Sequence, residues 1–388
     1  DSVSTTSVGI TSVTFAQIPI TSTIKLTYAL RTIDPSNGYS AWSERQTYSV
    51  VLDTTPPDAP GNLMATPSNS YVNLFWTASV STDAAGYLIA YKEISGTFGS
   101  YQSVGNVTSY QVTGLTNGIT YTFRVVAEDM VGWQSAPVEI TATPEYHIFL
   151  NGAPYETLAD ALTIAQAGDT ITLSPVTFIV PSTLALKQGV NIIGVSPHET
   201  IIRGLGLATL IQLTGPAVIT KGIISNLTLT GADTGIDSSS YGVIVRNVIL
   251  RQMDIGISGD DTSDISIINN TFISRTTAAI WVAGQTVIRN NIIIRNETGI
   301  WWLGIEADLS KLSITYNDVS GNTSDYVDCA AGVGNISENV IFTDEANSDY
   351  REKVGSASVD MGNPADGYLL EPEPNGERIN MGAFGNTP

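Results

Sequence analysis

The residues best able to do chemistry are acidic and aromatic. Asp233 and Asp237 in DTGID, and Asp260 and Asp261 in GDD, fall in successive copies of a repeat, where paired carboxylates can serve as general acid and base. The same run, GDDTSD at 259–264, ends on Asp264, and its oxygens suit Ca²⁺. A hard cation takes six or more oxygen ligands and no EF-hand spacing is present, while an Asx-rich turn bonding its own amides accounts for the same residues. Arg251 and Arg295 are aligned two copies apart with Ser274 between them and Lys221 and Arg246 near. Such cations could neutralise a sugar carboxylate and supply a base; they serve equally as solvated faces or as partners for Asp233 and Asp254. Trp281 and Trp301 occupy one repeat position in adjacent copies, with Asp237 and Ser258 at that position in the two copies before. Aligned indoles present flat faces on which sugar rings pack, beside a carboxylate that can bind hydroxyls. Burial under the nearby stretch ADLSKLSI at 307–314, or at a subunit contact, is the structural alternative.

These residues need a scaffold, and composition limits it. The 388-residue chain is long enough for two or three domains. Its 17 Lys+Arg against 37 Asp+Glu give a formal net charge of −20, which repels nucleic acid and anionic lipid. Abundant Thr, Ser, Asn, Gly, Ile and Val predict a β-rich fold. Cys329 is the only cysteine, so there is no intramolecular disulfide. No apolar run reaches a membrane-spanning length, and Asp1 opens the chain without Met or a signal-like segment, as expected of a mature exported protein or of a trimmed piece.

The repeat is NLTLTGADTGI from Asn226, NVILRQMDIGI from Asn247, NTFISRTTAAI from Asn270 and NIIIRNETGI from Asn291, with looser copies at Asn317 and Asn339. Spacings of 21, 23, 21, 26 and 22 residues suit one coil of a parallel β-helix. Stacked coils lie about 4.8 Å apart, so equivalent residues become neighbours in columns. The Asn column predicts an amide ladder at a turn, and Ile236, Ile257, Ile280 and Ile300 predict an inward core column. Thr228, Ile249, Phe272 and Ile293 form an outward column too apolar for water, so a loop, a neighbouring domain or another subunit should cover it. Ahead of the repeat, YETLADALTIAQAGDTITL reads as a short helix with Leu158, Leu162 and Ala165 on one face, capping the coil's first end.

Residues 53–60, DTTPPDAP, read as a linker, followed by some seven short alternating runs of β-sandwich type. Pro57 and Pro60, Trp76, and the Leu115, Gly118, Tyr121 spacing make residues 56–144 resemble a fibronectin type III domain. The resemblance implies a tyrosine corner at Tyr121 and a spacer or binding module without catalysis. Residues 1–52 echo the second half of such a module, since KLTYALRTID resembles YTFRVVAED; an incomplete sandwich leaves an edge to be completed by missing sequence or by another copy in a homo-assembly.

Parallel β-helices are common among pectate lyase-like and polygalacturonase-like enzymes. The order DTGID then GDD is similar to the latter, but His147 and His198 lie upstream and no Arg-x-Lys follows. The tail resembles the closing segment of bacterial right-handed β-helix surface proteins through Ser358, Asp360, Gly362, Pro364, Glu371, Pro372, Pro374, Asn375, Gly376, Arg378, Asn380, Gly382, Ala383, Phe384 and Gly385. It is expected to strap the last coil shut, with Arg378 paired to Glu371 or Glu373. The expected architecture is all-β: a partial sandwich at 1–54, a fibronectin type III sandwich at 55–145 and a right-handed parallel β-helix at 146–388. The expected role is extracellular or cell-surface structure, adhesion or assembly with polysaccharide contact, no nucleic acid and no required cofactor. The alternatives are a polysaccharide lyase or glycoside hydrolase, and a self-assembling filament or surface-layer subunit.

Overall fold

A computed structural model describes residues 24–31, 38–50, 53–214, 220–239, 241–273, 277–371 and 376–387. The chain divides into two compact units, Asp1–Pro67 with Tyr71–Pro144, and Ser68–Ser70 with Glu145–Pro388.

In the first unit, Ile24–Tyr28 and Gln46–Val50 pair antiparallel, and residues 1–23, 32–37 and 51–52 lie outside the described residues. The sandwich that follows sets a three-stranded sheet against a four-stranded one. Its strands alternate, so one face of Tyr71–Thr77 buries Val72, Leu74 and Trp76 against Tyr87, Ile89, Phe123 and Val125. Trp76 meets Tyr87 edge to face at 5.4 Å. The tyrosine corner is present: the Thr116 amide donates to the Tyr121 hydroxyl at 3.1 Å.

The second unit is a parallel β-helix of about seven turns whose strand pairings run in three parallel ladders, with the long strands Ile201–Thr214 and Gly222–Asp237 each bridging more than one ladder. Helix Leu158–Ile164 covers the first coil as expected: Thr157 caps it by accepting the Asp160 amide, and Leu158, Leu162 and Ala165 are buried. The Ile column holds throughout, because strand pairing aligns Leu184, Ile211, Ile236, Ile257, Ile280, Ile300 and Tyr326. All five isoleucines are fully buried.

The Asn repeat proves to be two adjacent columns. Asn226, Asn247, Asn269 and Asn290 have positive φ and turn the chain between two sheets. The next residue in each coil points inward, and from the third of these coils onward this position is Asn270, Asn291, Asn317 and Asn335. Here the amide ladder forms: the Asn291 side-chain oxygen accepts from the Asn270 backbone N–H at 2.9 Å and its Nδ2 at 3.0 Å, and the pattern repeats to Asn317 and Asn335. The expected column of 226, 247, 270 and 291 therefore mixes the two, and the last ladder member is Asn335, not Asn339.

The one-residue offset also corrects the apolar outer column. Ile249 aligns with Thr271 and Ile292, whereas Phe272 points inward between Leu250 and Ile293. The cover is the chain's own C-terminal segment. Val340, Phe342, Tyr350, Met381 and Ala383 pack on Ile249, Ile292 and Ile294, so the stripe offers no open face to a second copy. The left-handed Asn column pins this strap. Asn290 Nδ2 donates to Asp366 at 2.7 Å, Asn269 Nδ2 to the Asn380 carbonyl at 2.9 Å, and Asn247 Nδ2 to the Gly385 carbonyl at 2.8 Å. The tail thus runs lengthwise, back over coils already laid down, instead of closing the last one. Gly382, at φ +83, approaches so closely that a Cβ would stand 2.6 Å from Ile292 Cδ1.

The tail's motif residues knit its two halves together. The Asp360 amide donates to Asn380 Oδ1 at 2.8 Å, Gly362 N–H to the Ile379 carbonyl at 2.9 Å, and Glu371 Oε1 accepts the Asn380 and Asn386 amides. Arg378 does not pair with Glu371; it donates to the Gly362 and Met361 carbonyls and lies over the Tyr316 ring. Glu373, with Pro372, Pro374 and Asn375, lies outside the described residues.

Candidate functional site

The aromatic column is built as its spacing predicts. Strand pairing places Gln212, Asp237, Ser258, Trp281, Trp301 and Val327 in register on one sheet, each one residue after the buried Ile column and so on the opposite face. Trp281 and Trp301 stack with centroids 5.9 Å apart and planes 28° apart. Both are half-buried, and the Trp301 indole N–H donates to Asp328 at 3.3 Å. Trp302, on the other face of the strand, is 1% exposed and belongs to the core. Leu303 and Ile305 follow in exposed positions, and the stretch at 307–314 folds partly as a short 3-10 helix, Glu306–Lys311.

Asp237 stands two coils from Trp281 in this column, on the order of 10 Å away. Its Oδ1 accepts the Ser239 amide at 3.0 Å and hydroxyl at 2.6 Å. Asp260 is similarly occupied, with Oδ1 accepting from the Thr262 amide and hydroxyl and from the Ser263 hydroxyl. Asp264 forms an ion pair with Lys221 at 2.7 Å. Asp261 lies beside them in the same turn.

The structure separates the two arginines. Arg251 aligns with Ile273 and Ile294, while Arg295 is one residue later, in a left-handed turn, and pairs with Glu345 on the strap. Ser274, expected between them, lies outside the described residues. Asp233 and Asp254 do stack, the Asp254 amide donating to the Asp233 carbonyl at 2.8 Å, but among the described residues neither forms an ion pair with Arg251.

A further acidic group was not legible in sequence. Among the described residues, Asp53, Asp83 and Asp129 bring one carboxylate oxygen each within 4.8 Å of the others, although they lie far apart along the chain. Among these residues, too, no helix is long and apolar enough to cross a membrane.

Residues 58–142 match the fibronectin type III domain, and residues 208–343 match the family described as right handed beta helix region. The chain thus carries a fibronectin type III domain followed by a right-handed parallel β-helix. It is 37% identical over 105 residues to a Kelch domain-containing protein of Saccharolobus solfataricus, covering 27% of this chain and 14% of the relative. It is 36% identical over 100 residues to an amylopullulanase of Thermoanaerobacterium saccharolyticum, covering 25% and 8%. With chitinase A1 of Niallia circulans the identity is 32% over 186 residues, covering 46% and 23%. The chain spans less than a quarter of the length of each of these relatives.

Proposed function

We propose that this is an extracellular, carbohydrate-associated structural protein whose β-helix contacts polysaccharide through Trp281 and Trp301, with the fibronectin type III domain as a spacer. The observation that carries the reading is the stacked indole pair, held in register by parallel strand pairing on the face opposite the core. Two half-buried rings fixed in this way lose little conformational entropy when a sugar chain packs against their accessible edges. The names of two relatives, amylopullulanase and chitinase A1, favour a polysaccharide setting. In the candidate catalytic acids, Asp237 and Asp260 each hold a local turn with one oxygen, which suits support better than turnover.

The test is retention of the full chain on insoluble polysaccharides, including starch, chitin and cellulose, with Trp301→Ala as comparison. Retention should fall at least tenfold in the variant, with far-UV circular dichroism unchanged. Equal retention of both proteins, or retention of neither on any matrix, overturns the reading.

A further inference from the structure

The geometry points to a calcium-binding site formed by Asp53, Asp83 and Asp129, fixing the Pro-rich linker to one end of the fibronectin type III domain. The three residues arrive from separate segments. Asp53 opens the linker DTTPPDAP. Asp83 sits in the turn before strand Ala84–Glu93, and Asp129 ends strand Tyr121–Asp129. These two strands pair antiparallel with Ala84 opposite Asp129, so the fold itself brings residues 83 and 129 to the same sheet end. The linker is then drawn in, since the Trp133 indole N–H donates to the Asp53 carbonyl at 3.2 Å. The Trp133 amide in turn donates to Asp129 Oδ1 at 2.9 Å, so one short turn holds both acids.

Two observations go beyond the clustering of acids. Asp129 is only 4% exposed, and while its Oδ1 accepts the Val131 and Trp133 amides, its Oδ2 is buried without a hydrogen-bond partner. A buried, unsatisfied carboxylate oxygen is a costly arrangement that a bound cation removes. The cluster also has no counter-charge from the protein: among the described residues no Lys or Arg forms an ion pair with any of the three.

Separations within 4.8 Å allow the three oxygens to share one Ca²⁺. Oxygens bound on opposite sides of Ca²⁺ at about 2.4 Å each are roughly 4.8 Å apart, and Ca²⁺ accepts an irregular set of six to eight oxygens that waters and main-chain carbonyls can complete. Mg²⁺ demands a tighter octahedron and keeps more of its own water. Bound Ca²⁺ would tie the linker to the two sheet-end turns, restricting the joint between the N-terminal segment and the domain.

The test is calorimetric titration of CaCl₂ into the chelator-stripped full chain, with melting followed in parallel. One Ca²⁺ should bind and raise the melting temperature of the transition that includes the fibronectin type III domain. Asp83→Asn, on an acid less buried than Asp129, should weaken binding at least tenfold without lowering the calcium-free melting temperature. Asp129→Asn keeps an oxygen for the turn amides and should weaken binding likewise, without lowering the calcium-free melting temperature, since it removes a buried unpaired charge. Absence of heat and of a melting shift at about 10 mM Ca²⁺, tenfold above the weakest extracellular calcium modules, overturns the site. So does binding that survives both variants but is lost in Asp260→Asn.

Discussion

The sandwich and the β-helix are built from the same kinds of strand but satisfy their interiors differently. In the sandwich each buried side chain has a unique set of neighbours: Trp76 meets Tyr87, and the Tyr121 hydroxyl serves one amide. In the β-helix a buried side chain has its own kind above and below it, so a polar group can be carried through the core provided every coil supplies the same group. Asn270, Asn291 and Asn317 are fully buried and bonded in this way. Repetition permits polarity inside, and it also makes each member responsible for two others.

The largest expected effect follows from that dependence. Asn291→Ala removes the acceptor for two Asn270 donors and a donor to Asn317, so it should destabilise the β-helix by about 3–5 kcal/mol in urea unfolding. A loss below about 1 kcal/mol would break the comparison. A middle effect comes from the strap, where burial, with the Asp318 and Glu371 carboxylates adding to it, raises Glu352 from 4.5 to about 7. Between those two values the folded chain keeps a proton that the unfolded chain has released, so this group's contribution to stability falls as pH rises through the window. Glu352→Gln should flatten that decline and stabilise the β-helix at pH 8, by on the order of 2 kcal/mol, as read from melts at pH 5 and pH 8. A variant whose pH dependence matches the parent would refute the assignment. The smallest effect belongs to the sandwich: Tyr121→Phe deletes one unshared bond and should cost about 1 kcal/mol, confined to the fibronectin type III transition.

The same contrast decides what the sequence disclosed. The coils were legible because their neighbours recur at a nearly fixed interval, which also put Trp281 beside Trp301. The register slipped by one where Asn269–Asn270 and Asn290–Asn291 are doublets: either Asn can be aligned with the single Asn226 and Asn247, and only backbone handedness tells them apart. Arg251 and Arg295 were drawn into one column by the same slip. The strap's path was hidden because its contacts carry no period, with Asn247 reaching Gly385 across the length of the repeat. Asp53, Asp83 and Asp129 were hidden for the opposite reason, since they converge only through antiparallel pairing and one indole.

The lengthwise strap also orders events in time. The segment that covers Ile249 and Ile292 is the last of the described chain to be synthesised, so coils near Asn247 must wind with their outer apolar stripe bare. Coiling and sealing are therefore separate steps. A chain still emerging from a ribosome or an export channel exposes a sticky flank that its finished form conceals, and it is during that interval that the molecule is most open to capture by another copy.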